Sequence, residues 1–70
     1  MQEVHKKLGK RIAGLRKKQG FSQEEFAHEC GFHRSYMGAV ERGEKNITLA
    51  SVNRIASTLK VSLSQLFKSV

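Results

Sequence analysis

Apolar residues recur at helical spacing along this chain, and the segments they form are separated by glycines and short polar residues. Val4, Leu8, Ile12 and Leu15 share one face of a predicted helix over Val4–Lys18, with lysines on the opposite face. Gly20 supplies its stop signal. Ser22 and Glu25 then have the spacing of a capping box, opening a second helix over about Gln23–Cys30 that buries Phe26 and Ala27, with Phe21 packing ahead of it. Gly31 falls where the chain must turn sharply, and a residue without Cβ takes a positive φ there. A third helix runs from about Arg34 to Arg42, buries Met37 and Val40, and stops at Gly43. Thr48 caps a fourth, whose buried stripe is Leu49, Val52, Ile55, Ala56 and Leu59. Val61 packs, Ser62 caps, and a fifth helix spans Leu63 to about Ser69. Proline and strand-like runs are both missing, so the fold class is all-α.

The stretch from Ser22 to Gly43 has the layout of a helix-turn-helix, whose second helix enters the DNA major groove. Composition points the same way. Thirteen lysines and arginines against six acids give a net charge of +7, and no acid occurs after Glu44. Charge alone leaves nucleic acid, a membrane surface and simple solubility open. The helix-turn-helix spacing favours double-stranded DNA, held through phosphate contacts and counterion release. No apolar run approaches the ~20 residues of a membrane span, and the N-terminus is too polar for a signal peptide. Cys30 is the single cysteine, as expected of a packing thiol in a cytoplasmic protein. His28, Cys30 and His33 lack a fourth ligand and straddle a turn, so no metal is expected. No cofactor, nucleophile–base pair or phosphate loop is indicated, so no enzyme is expected.

Residues 4–67 resemble helix-turn-helix regulators of the Cro and phage-repressor type. The matching features are LRKKQGFSQEEFA, the Gly31 turn and the VERG that ends the third helix. Within that group, HRSYMGAVERGEKNITL is most similar to the controller proteins of restriction–modification systems, through Arg34-Ser35-Tyr36, Glu41-Arg42 and Asn46-x-Thr48-Leu49. The resemblance implies a compact five-helix, lambda-repressor-like domain over residues 1–70. It also implies a transcriptional regulator of its own gene and the endonuclease gene. His33 departs from the pattern, which commonly has a small or acidic capping residue there.

Candidate DNA contacts follow from position. Arg34, Ser35, Gly38 and Ala39 face away from Met37 and Val40, with Tyr36 at the edge. Arg34, near the helix start, can pair with guanine O6 and N7, worth about 1–3 kcal/mol of discrimination; the resemblance implies the same role. Ser35 either bonds a base or phosphate or merely starts the helix. Tyr36 either meets the DNA edge or packs inward. Ala39 suits a thymine methyl, and Gly38 a crowded groove floor. Gln23 is placed to hold a phosphate at the start of the second helix. His33, Arg42, Lys45 and Asn46 are candidate backbone contacts that fix register. The resemblance assigns Arg16 and Glu41 to a partly buried salt bridge joining the first and third helices.

One recognition helix reads few base pairs, and a 70-residue chain is marginally stable, so a homodimer is expected. Ile47, Leu66 and Phe67 are candidates for its interface, with Leu63 and Leu66 mostly in the core. An activator also touches RNA polymerase, for which Glu24, Glu25 and Glu29 are available. The competing reading is an antitoxin-type module whose main partner is a toxin protein.

Overall fold

The computed structural model describes residues 2–70 and contains five helices: α1 (Gln2–Lys18), α2 (Gln23–Cys30), α3 (Arg34–Glu41), α4 (Leu49–Leu59) and α5 (Leu63–Leu66). No strand occurs among the described residues. α1 packs against α3, α4 and α5, and α2 packs against α3 and α4. The core between them contains Leu8, Ile12, Phe26, Met37, Val40, Ile55, Leu59 and Leu66, and Phe21 packs on its rim with its ring 5.4 Å from that of Phe26.

Local chemistry explains where the helices begin. The Glu25 N–H donates to Ser22 Oγ at 3.0 Å, and the Ser22 N–H donates to Glu25 Oε1 at 2.9 Å, which completes the capping box. Thr48 Oγ1 accepts from the Ser51 N–H, and Ser62 with Gln65 forms a second capping box.

The end of α2 fixes the motif. Gly31 has φ +79°, its N–H donates to the His28 carbonyl, and the Phe32 N–H reaches back to the Ala27 carbonyl at 2.8 Å. This Schellman arrangement reverses the chain within two residues and delivers it to α3. α3 ends the same way at Gly43, φ +76°, where a Cβ would also stand 2.7 Å from the Lys6 Cα. α4 ends on Lys60 in the left-handed region, φ 58°.

Three core assignments and one interface candidate need correction. Val4, Leu49 and Leu63 were expected to be covered but are exposed by 51%, 82% and 45%. Each lies in the first turn of its helix, beyond the reach of the elements that cover the later turns. Leu66, expected mostly in the core, was also a candidate for the dimer interface; it is fully buried inside the subunit, which removes the interface role. Its helix is shorter than expected, ending at Leu66 rather than near Ser69.

Candidate DNA-binding surface

α3 is held from behind. Met37 and Val40 are buried. Beside them Glu41 receives a two-pronged contact from Arg16, with Nε to Oε2 at 2.7 Å and Nη2 to Oε1 at 3.0 Å. Arg16 Nη1 donates to the Phe21 carbonyl at 2.9 Å, so one guanidinium ties α1, the chain ahead of α2, and α3 together. Both side chains are more than nine-tenths buried. A bidentate geometry with a third acceptor is what a charge pair needs at such burial.

The free face of α3 begins with His33, its N-cap. Ser35 N–H donates to His33 Nδ1 at 3.3 Å, and Ser35 Oγ lies 2.8 Å from the same nitrogen. An accepting Nδ1 places the proton of the neutral ring on Nε2. His33 therefore replaces the commoner small cap and remains exposed. Arg34 and Ser35 are exposed as well, and Arg34 has no ion-pair partner among the described residues. Ser35 is turned toward His33, which leaves Arg34 as the unengaged side chain at this end.

Tyr36 is half-buried. Its ring meets Phe32 edge-on at 5.0 Å, and its hydroxyl lies 3.3 Å from Ser51 Oγ, which itself contacts Thr48 Oγ1 at 3.1 Å. Of the two roles open to Tyr36, the packing contacts are thus made. Ala39 departs from expectation: it is 7% exposed, so it does not stand on the open face. Its carbonyl accepts the Glu44 N–H at 2.9 Å in the turn that ends α3.

Gln23 is in place at the start of α2, but its amide is already engaged, with Nε2 donating to Glu41 Oε1 at 3.0 Å. Arg42 caps the far end of α3 and pairs with Glu44 at 3.1 Å, both side chains exposed. Lys45 and Asn46 are exposed in the following loop, and Ile47 packs partly on the core. The structure thus brings Gln23, Arg34, Ser35 and Arg42 to one surface around α3, with His33 and Lys45 at its two ends.

Three features escaped the sequence reading. The hydroxyl chain Tyr36–Ser51–Thr48 joins α3 to the start of α4. Arg54 lies over the Phe32 ring at 5.7 Å, bracing the turn from α4. The third is the Arg42–Glu44 pair, whose close spacing was visible but whose side chains were free to point apart. Two groups have shifted protonation. Hydrogen bonds from the Ser22 backbone and then its hydroxyl hold Glu25 below the ordinary 4.5. Burial pushes the Cys30 thiol above 9.0, against smaller opposing effects of Thr58 and Arg54. No group of three His, Cys, Asp or Glu side chains among the described residues is placed to hold a metal, and no described helix is long and apolar enough to cross a membrane.

Residues 12–66 match the helix-turn-helix family, and the chain belongs to it, as a DNA-binding regulator of transcription. Several of its relatives within that class are control proteins. Control protein C.MunI of Mycoplasma sp is 32% identical over 71 residues, spanning all of this chain and 96% of that protein. Control protein C.SmaI of Serratia marcescens is 34% identical over 64 residues, spanning 91% of this chain and 76% of that protein. The restriction-modification controller protein C.AhdI from Aeromonas hydrophila has the same fold, with a TM-score of 0.86 at 36% identity over 94% of this chain and 98% of that one.

Proposed function

We propose that the chain is a homodimeric controller protein of a restriction–modification system, acting in the cytoplasm on a short near-palindromic operator. It would regulate its own gene and the endonuclease gene. The observation that carries this reading is the state of Arg34. It is an exposed, unpaired guanidinium in the first turn of a helix whose opposite face is fixed to the core. A fixed helix with a free arginine at its start is what bidentate reading of guanine in the major groove requires. Arg42, Lys45, Asn46, Gln23 and the exposed Nε2–H of His33 supply backbone contacts that set register. Ser35 and Tyr36 adjoin Arg34 and complete the face presented to base edges and their flanking sugars.

The dimer reading is supported by apolar side chains left in solvent. Leu49, Leu63 and Phe67 are 82%, 45% and 39% exposed, on or just after α4 and α5. Leu49 and Leu63 take the place of Leu66 as interface candidates, joining Phe67 and Ile47. A dimer spaces two copies of α3 to reach half-sites about one DNA turn apart. An activating role would add a contact to RNA polymerase, for which the exposed Glu24, Glu25 and Glu29 of α2 are available.

Arg34→Ala tests the reading. We expect a loss of about 1–3 kcal/mol of discrimination between cognate and random duplexes, with weak, salt-sensitive binding retained. Equal losses on both duplexes would remove Arg34 from base reading.

A further inference from the structure

The hydrogen bonds at the start of α3 fix where one proton points. His33 is the N-cap, and its Nδ1 lies 3.3 Å from the Ser35 main-chain nitrogen and 2.8 Å from Ser35 Oγ. A main-chain N–H can only donate, so Nδ1 presents its lone pair to Ser35 and carries no proton. An unprotonated Nδ1 has nothing to give to Oγ. The contact at 2.8 Å is therefore made by the Ser35 hydroxyl, which donates to Nδ1. Both lone pairs of Oγ stay free, and no side-chain proton of Ser35 is left for another acceptor.

Ser35 also stands in the middle of the outer face. It is turned about 200° around the helix from Met37, and it shares one line along α3 with Arg42, two turns further on. Ser35 and Arg42 are exposed, while Met37 and Val40 on the opposite side are buried. A serine hydroxyl ordinarily suits either kind of base edge, because it rotates to donate or to accept. Here rotation breaks the bond to His33, so the edge that fits is a donor. In the major groove the donors are the exocyclic amines, N6 of adenine and N4 of cytosine, whereas guanine O6 and thymine O4 are acceptors. Phosphate oxygens are acceptors too, so the same bond turns Ser35 away from the DNA backbone.

We propose that His33 makes Ser35 a reader of base amines, favouring adenine or cytosine over thymine or guanine at a base adjoining the one that Arg34 meets. The proposal rests on α3 being the DNA-reading helix. Ser35 touches the base, and His33 is a positioning residue that acts through it. Arg34 has only donors and selects the acceptors of guanine. Ser35, held as an acceptor, selects a donor. Two neighbouring side chains on one turn thus read opposite hydrogen-bond senses.

The test uses the full chain and the duplex that it selects from a random pool. All four base pairs are placed in turn at each position beside the guanine whose preference is lost in Arg34→Ala. Ser35→Ala locates its own contact as the position where selectivity disappears. There the parent should hold adenine or cytosine on one strand about 3–10-fold more tightly than thymine or guanine. His33→Gly keeps most of the capping but removes the acceptor, so the four bases should come within about twofold at that position while the guanine preference stays. His33→Asn caps the helix and offers an oxygen to the hydroxyl, and should restore the preference for amines. Purine in place of adenine, or pyrimidin-2-one in place of cytosine, deletes the amine; it should weaken the parent and leave Ser35→Ala unchanged. A parent that prefers thymine or guanine there or shows no preference, a His33→Gly variant as selective as the parent, or a His33→Asn variant no better than His33→Gly would each overturn the proposal. A His33→Gly variant that loses the guanine preference equally would reduce His33 to a helix cap and overturn it too. If Arg34→Ala and Ser35→Ala both leave every preference intact, the reading role of α3 falls as well; loss of the guanine preference in Arg34→Ala alone confines the failure to Ser35 and His33.

Discussion

A Cβ on Gly9 would stand 2.5 Å from the main-chain oxygen of Glu41, and 2.6 Å from that of Val40. α1 therefore crosses the end of α3 backbone to backbone, where nothing larger than hydrogen fits. The contact helps to set the tilt of the recognition helix, because the obstacle is a main-chain carbonyl that cannot rotate aside. Gly9→Ala should cost about 1–3 kcal/mol through overpacking, toward the upper end here, against about 1 kcal/mol regained in helix propensity. Gly14 lies in the same helix with nothing within 4 Å of a Cβ. Gly14→Ala should stabilise by about 0.5–1 kcal/mol. Thermal melts of the two variants should shift in opposite directions, by about 4–8 °C per kcal/mol in a domain of this size.

Arg16 and Glu41 form the second constraint on α3. Arg16→Met leaves a buried carboxylate with Gln23 as its remaining partner and strands the Phe21 carbonyl. A loss of about 3–5 kcal/mol is expected. Replacing both residues, Arg16→Met with Glu41→Leu, should recover much of it, because a well-packed apolar pair carries no desolvation cost. Denaturant titration of the three proteins checks this. A single variant as stable as the parent would show the pair to be ornamental.

The capping box at α2 predicts a pH response. Glu25 is held below 4.5 by its hydrogen bonds to Ser22, so its ionised form is favoured by the folded chain. A lowered carboxylate contributes stability that is fully present above the unfolded value and is lost as pH falls through the folded one. Glu25→Gln keeps the reach of the cap without the titration. Its stability should fall less steeply than the parent's as pH is lowered below 4.5. Parallel acid limbs would show that the cap contributes nothing to the acid response.

The exposed leucines separate folding from assembly. Leu63→Glu touches a side chain that is 45% exposed, and should weaken the proposed dimer while leaving the subunit folded. Leu66→Ala removes a fully buried side chain and should cost about 2–5 kcal/mol of subunit stability. Sedimentation together with melting distinguishes the two. A dimer indifferent to Leu63→Glu would move the interface elsewhere.

The parts of this molecule that were legible in the sequence are those decided locally. Ser22 with Glu25, Gly31 and Gly43 each determine a helix end through bonds to residues three to five positions away, and the structure has them so. The Arg16–Glu41 pair was placed by resemblance, not by spacing. What was misread depends on neighbours distant in sequence. Periodicity put Val4, Leu49 and Leu63 on the correct faces but carried no information on how far along each helix the covering elements extend. Leu66 was read both as core and as an interface candidate; its full burial keeps the first reading and removes the second. The engagements of Gln23 with Glu41 and of Arg42 with Glu44 depend on side-chain direction, which residue type alone leaves open.

The most direct measurement is selection of duplexes from a random pool by the purified chain, alongside Arg34→Ala. We expect the parent to enrich a short near-palindrome with a guanine in each half-site, and Arg34→Ala to lose preference at that guanine while still retaining DNA at low salt. A parent protein that enriches no sequence, or a variant that enriches the same motif equally well, would contradict the assignment of α3 as the reading helix and Arg34 as its reader.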